Sequence, residues 1–224
     1  MTVRPSDAPV RRPGTRTRSG NAMGRTRAAL LQAAAACIEE HGVRPTTMVE
    51  VSSRSGVAKA TLYNHFRTKQ DLLVALVEAF VAEVVATATA TATEAGPVPA
   101  LAGAAVWLSS HGPLRTAALR EPAALAPLLT PSVGRGWQAA TDGVRAALAA
   151  GHVDATVDQV DLVLRWLVSH VMWPVSTEGA TSAATDLVRG LSRADEPAAA
   201  VGRASEVPPA TGTAGAPAAV GWPS

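Results

Sequence analysis

A chain of 224 residues, 47 % hydrophobic and 17 % charged, can bury a sizeable core and has the composition of a folded globular protein, not of a disordered one. One cysteine, Cys37, excludes an internal disulfide and fits a reducing compartment, so a cytoplasmic protein is expected. The net charge of +2 conceals a division: residues 1–70 hold twelve bases and four acids (+8), residues 71–224 eight bases and fourteen acids (−6), as if one end meets a polyanion.

Residues 1–23 carry Pro5, Pro9 and Pro13 among five arginines, with no apolar period, and read as a disordered basic arm. Arginines and prolines stand where the apolar core of a signal peptide would be, so none is expected. Met1 and Met23 are both left open as the start of translation. The most apolar runs, Leu101–Leu108 and Val160–Val175, are too short or are interrupted by Asp161 and Arg165, so no membrane span is expected.

From Arg25 to His41 a helix is predicted, with Leu30, Leu31, Ala34 and Ile38 on one face and Gly42 as its stop. Thr47 with Glu50 three residues on is a capping-box pattern opening a short helix that ends near Gly56. A third helix spans about 58–64, and a fourth opens at Thr68 with Leu72, Leu73, Leu76, Val77 and Phe80 as its buried stripe. After a break at 94–99 come helices at 100–110, 114–120 (closed by Pro122) and 131–150 (closed by Gly151). The segment 156–171 places Val160, Val163, Leu164, Leu167, Val168 and Val171 on one face, and Leu162, Trp166 and Trp173 make a second. A helix apolar on two sides needs two covers, and a second copy of the chain is the natural second one. A last amphipathic helix is predicted over 180–191, followed from residue 193 by an unstructured Ala/Pro/Gly tail. No segment alternates as a strand does. The fold class is all-α.

Residues 47–66 hold two short helices joined at Ser55-Gly56-Val57, where Gly56 can take the positive φ of a steep turn and Val51, Val57, Leu62 and Phe66 supply a small core. This is a helix-turn-helix, whose second helix lies in a major groove of DNA. Lys59 and Ala60 stand at the end that reaches base edges, lysine suited to guanine and alanine to a thymine methyl. Thr61, Tyr63, Asn64 and His65 carry donors for phosphate or bases, and Thr46, Thr47 and Lys69 flank them as phosphate contacts. The competing reading of Tyr63 and Phe66 as core residues is accepted for Phe66. For Tyr63 the DNA-facing hydroxyl is preferred, because Leu62 and Phe66 already occupy the inward stripe.

The run "TTMVEVSSRSGVAKATLYNHFRTKQDLLVALV" resembles the DNA-binding region of TetR-family transcriptional regulators, over about residues 25–80. The resemblance implies a dimer of about nine-helix protomers, with a three-helix DNA-binding domain (24–70) and a helical effector-binding and dimerisation domain (71–192). It also implies that Lys59, Tyr63, His65 and Lys69 occupy DNA-contacting positions, and that regulation is repression. One departure is Ala58, where the family often has a serine cap, a loss of about 1 kcal/mol.

Trp107, Trp137, Trp166 and Trp173 lie in the second domain with His111, His152 and His170. Rings of this kind either line a pocket for a small apolar effector or fill the core and dimer seam. Trp107 with His111 is the preferred pocket pair; Trp137, Trp166 and His170 are further candidates, His170 facing either the pocket or a dimer partner. No metal-ligand spacing, cofactor motif or catalytic constellation is present, and Cys37 reads as a core thiol, so neither metal, cofactor nor enzyme activity is expected. The expected protein is a ligand-responsive homodimeric repressor binding a palindromic operator in double-stranded DNA, with an unidentified small-molecule effector. Two rivals are a helical small-molecule-binding protein or enzyme with an incidental basic arm, and a DNA-binding protein regulated by a protein partner through its tail.

Overall fold

Threonine caps open three of the helices in the computed structural model, which describes residues 15–129 and 135–194, with side chains over 22–125 and 136–192. Ten helices and no strand occur among the described residues: α1 (Thr15–His41), α2 (Met48–Ser55), α3 (Lys59–His65), α4 (Lys69–Ala95), α5 (Pro97–Ser110), α6 (Gly112–Arg120), α7 (Pro122–Leu129), α8 (Arg135–Ala150), α9 (Val157–Met172) and α10 (Thr177–Ala194). Thr47, Thr68 and Thr156 each accept a hydrogen bond from the backbone N–H three residues on, and Glu50, Asp71 and Gln159 return the bond to the cap. Gly56 ends α2 at φ +67°, in the left-handed region that a side chain would strain.

Three features depart from expectation. First, α1 begins at Thr15, so residues 15–23 of the expected arm are helical; lengthening an existing helix needs no new nucleus, and arginine is a good helix former. Residues 1–14, the tail from 195 and the expected start of α8 near 131 lie outside the described residues. Second, Pro122 opens α7 instead of only closing α6, because proline at a first helical position loses no hydrogen bond. Third, α4 is by length and composition alone apolar enough to cross a membrane. Its apolar surface instead packs on α1, α5 and α8 and walls a cavity between them.

Two cores result. Leu30, Ala34, Cys37 and Ile38 of α1 pack with Val51, Leu62, Phe66, Leu72 and Leu76 around the short helices α2 and α3 and the start of α4. Leu101, Ala105, Val144, Leu148, Val160, Val163, Leu164, Ala184 and Leu191 form the second, between α5, α8, α9 and α10. A smaller cluster of Leu114, Ala117, Ala118, Leu125 and Val171 lies under α6, and Val43 and Phe80 pack against both it and the first core. On α4 the buried residues are Leu72, Ala75, Leu76 and Ala92, whereas Leu73, Val77 and Phe80 of the expected stripe are half-buried. On α9 the inner row is buried except for half-buried Val168, while Leu162 is 52 % and the following Trp173 72 % exposed.

Candidate nucleic-acid interface and apolar cavity

The two short helices are held by a braced turn. Ser52 Oγ donates to the Val57 carbonyl at 2.7 Å, Ser55 Oγ donates to the Ser52 carbonyl at 3.1 Å, and the Val57 N–H returns to Ser55 Oγ at 3.3 Å. Small hydroxyl side chains can fold back on the backbone in this way, which replaces water at a tight junction. Leu62 and Phe66 are buried, fixing the inward side of α3. Lys59, Ala60, Tyr63 and Asn64 therefore stand outward and exposed, with Thr61 and His65 half-buried beside them. Arg27 of α1 lies 5.3 Å over the Phe66 ring, a cation–π contact that clamps the end of α3 to α1. No side chain caps α3 at Ala58.

The flanking candidates divide. Thr47 is exposed, its hydroxyl oxygen accepting from the Glu50 N–H at 3.2 Å. Thr46 is 2 % exposed and its hydroxyl donates to the Gly42 carbonyl at 2.7 Å, so it braces the loop before α2. The Thr46 hydroxyl expected at DNA is thus already engaged within the protein. Lys69 is half-buried, and its ammonium donates to the Arg44 carbonyl at 2.9 Å. Burial lowers the Lys69 pKa, with Glu121 and Glu50 acting in the opposite direction.

An ion pair and a second contact tie α1 to α2: Arg54 Nη1 sits 2.6 Å from Glu40, and the His41 ring Nε2 lies 3.2 Å from the Glu50 carboxylate. The hydrogen bond from Arg54 holds the Glu40 carboxyl below its ordinary range. Cys37 is fully buried, and desolvation raises its thiol pKa, which makes it an unreactive core group.

Between α4, α5, α8 and α9 lies a cavity of about 380 Å³. Val74, Val77, Val81, Val84, Val85 and Ala88 of α4 form one wall at helical spacing, and Trp107 and Trp137 face it from α5 and α8. Gln70 and Glu78 supply its polar non-aromatic side chains among the described residues. The Trp107 indole N–H donates to Glu83 at 3.3 Å.

His111, Trp166 and His170, expected as pocket residues, do not line this cavity. His111 instead packs behind it, with ring centroids 4.2 Å from both Phe80 and Trp107. Burial there lowers its pKa, partly offset by Glu83 and Glu39, and its Nδ1 is buried without a hydrogen-bond partner. His170 is buried within the protomer, its Nδ1 3.2 Å from the Trp173 carbonyl and its ring edge-on to Trp166 at 4.9 Å. The signal for the actual wall was in the sequence: the valines of α4 run round more of the helix than one core face can cover.

An outward polar row on the second of two short helices, beside a separate helical core with an apolar cavity, is a helix-turn-helix arrangement joined to a helical domain. Residues 30–76 match the family model described as "Bacterial regulatory proteins, tetR family". Among curated proteins no match is found. The fold is similar to that of the TetR family repressor AlkX from Dietzia sp. strain DQ12-45-1b, implicated in n-alkane biodegradation, at 20 % identity over 74 % of this chain and 97 % of that one, with a TM-score of 0.60. A TetR-family transcriptional regulator from Mesorhizobium loti MAFF303099 is similar at 20 % identity over 77 % and 97 % of the two chains, with a TM-score of 0.56. One from Rhodococcus sp. gives 22 %, 76 %, 98 % and 0.50. At these identities the likeness establishes a shared fold.

Proposed function

We propose that the protein is a sequence-specific DNA-binding transcriptional regulator acting as a homodimeric, ligand-responsive repressor on a palindromic operator. The observation that carries this reading is the division of α3 into a buried inner row, Leu62 and Phe66, and an exposed outer row, Lys59, Ala60, Tyr63 and Asn64. Such a helix can enter a groove without unfolding, with Lys59 and Ala60 toward base edges and Tyr63, Asn64, Thr61 and His65 toward the surrounding backbone. Thr47 and Lys69 contact phosphate at its flanks, Lys69 after exchanging its Arg44 carbonyl for an oxyanion. The net +8 of residues 1–70 adds salt-dependent attraction to the duplex.

Dimerisation is supported by the uncovered row of α9, where Leu162 and the adjoining Trp173 are exposed and Trp166 half-exposed. The effector is a small, largely apolar molecule, because the cavity offers valines, alanines and two indoles with few polar groups. Its entry would change the spacing of the two recognition helices, which must match major grooves about 34 Å apart. Selection of binding sites from a random duplex library at near-physiological salt, with Lys59→Ala in parallel, tests the reading. It expects an enriched palindrome that Lys59→Ala no longer selects. Absence of enrichment, or binding by both proteins that salt abolishes alike, would overturn it.

A further inference from the structure

The cavity is joined to the loop ahead of the helix-turn-helix by one short helix. Phe80, Trp107 and Leu114 stand in the cavity wall. His111, stacked on Phe80 and Trp107, is at once the C-cap of α5 and the N-cap of α6, so displacement of either ring acts on the start of α6. Along α6, Thr116 Oγ1 donates to the Glu39 carbonyl at 3.0 Å and Arg120 Nη1 to the Glu40 carbonyl at 3.3 Å, which fastens α6 to the end of α1. At its C-cap stands Glu121, whose side chain is only 12 % exposed. Both of its carboxylate oxygens share the single N–H of Arg44, at 3.0 and 2.9 Å.

The loop is shaped to admit this carboxylate. A Cβ on Gly42 would stand 2.5 Å from Glu121 Oε1, and Gly42 has φ +95°, so both space and backbone conformation call for glycine there. The Arg44 backbone is gripped from both sides, its N–H by Glu121 and its carbonyl by Lys69 from the first turn of α4. Arg44 lies three residues before Thr47, the cap of α2. Val43 packs under both the α6 cluster and the N-terminal core. Thr116 and Arg120 hold α6 to α1, whereas Glu121 reaches the segment that carries the helix-turn-helix.

We infer that Glu121 is a positioning residue that transmits occupancy of the cavity to the helix-turn-helix through its grip on the Arg44 backbone. The inference rests on the proposed reading of the chain as a ligand-responsive DNA-binding protein. An apolar ligand that pushes on Phe80 and Trp107 shifts α6, withdraws or advances the Glu121 carboxylate, and so changes the angle at which α2 and α3 leave the loop. A charged acceptor on an N–H makes a stronger hydrogen bond than a neutral one, which gives the two arrangements of the loop a real difference in free energy.

Three quantities test it on the full chain: affinity for the selected duplex, affinity for the neutral apolar fluorophore N-phenyl-1-naphthylamine, and the change in each when the other is saturating. Linkage requires the last two changes to be equal. Wild type is expected to show coupling of about 5–150-fold. In Glu121→Ala each ligand, offered alone, is expected to bind within about 3-fold of wild type, but the coupling falls below about 2-fold, and Glu121→Gln, which keeps one oxygen acceptor without the charge, lies between. The Arg44 amide is expected to exchange its hydrogen at least about tenfold faster in Glu121→Ala, with α3 amides unchanged. Undiminished coupling in Glu121→Ala, or an Arg44 amide whose exchange does not change, overturns the inference while leaving the functional reading intact. Wild type that binds both ligands without coupling also overturns it. Failure of wild type to bind any duplex overturns the functional reading and the inference with it.

Discussion

Tyr63 in α3 and Phe66 at its C-cap stand three residues apart but differ sharply in burial. Tyr63 is 41 % exposed and Phe66 3 % exposed. Phe66→Ala is therefore expected to cost about 3–5 kcal/mol of folding stability, measured by urea denaturation. Tyr63→Phe is expected to change stability by less than about 0.5 kcal/mol while weakening duplex binding, measured by fluorescence anisotropy. Equal effects of both on stability would place Tyr63 in the core. Lys59→Ala is expected to weaken binding of the selected duplex by about 1–3 kcal/mol and to relax selection at the base pair it meets. His111 carries a pH signature. Burial lowers its pKa from the ordinary 6.5, so the unfolded chain takes up a proton there before the folded one does. Its neutral ring supports the fold fully above that ordinary value, and this support declines as pH falls toward the lowered one. His111→Phe keeps a ring between Phe80 and Trp107 and removes the titration. The stability difference between about pH 7 and pH 5 is expected to be smaller in this variant than in wild type.

At the scale of elements, the α2–turn–α3 unit shows how much local chemistry a short sequence holds. Thr47, Glu50, Ser52, Ser55 and Gly56 each do in the structure what their types suggest: cap, answer the cap, brace the turn and reverse the chain. The missing element is the cap of α3. Ala58 has extended backbone, φ −56° and ψ 139°, with no side-chain bond, so Ala58→Ser is expected to add about 1 kcal/mol, measured by denaturant midpoint. Helix ends without such markers were harder to read. The start of α1 shows no cap in its sequence, and α7 was hidden because proline both ends and begins helices.

For the whole molecule, the uncovered row on α9 has a consequence for assembly. Leu162 is exposed in the protomer, so Leu162→Arg is expected to leave folding unchanged within about 0.5 kcal/mol. Sedimentation at micromolar concentration is expected to show a dimer in wild type and a monomer in this variant, because a charge cannot be buried unpaired in an apolar seam. A variant that sediments as wild type would move the dimer interface elsewhere.

The all-α fold, the helix-turn-helix with its outward row, and the two-sided character of α9 were legible from sequence because each depends on spacing along one helix. A period of 3.6 residues and a capping pair are local, and they survive whatever packs around them. The cavity wall was only half legible: Trp107 and Trp137 line it, but His111, Trp166 and His170 do not, since one turn along a helix separates a residue that faces a void from one that faces a neighbouring ring. The burial of Thr46, the inward turn of Lys69 and the meeting of Glu121 with Arg44 across 77 residues of chain had no sequence signal at all. Those contacts depend on how the 42–47 loop, α4 and α6 come together, an arrangement that many side chains decide jointly and that no single spacing encodes.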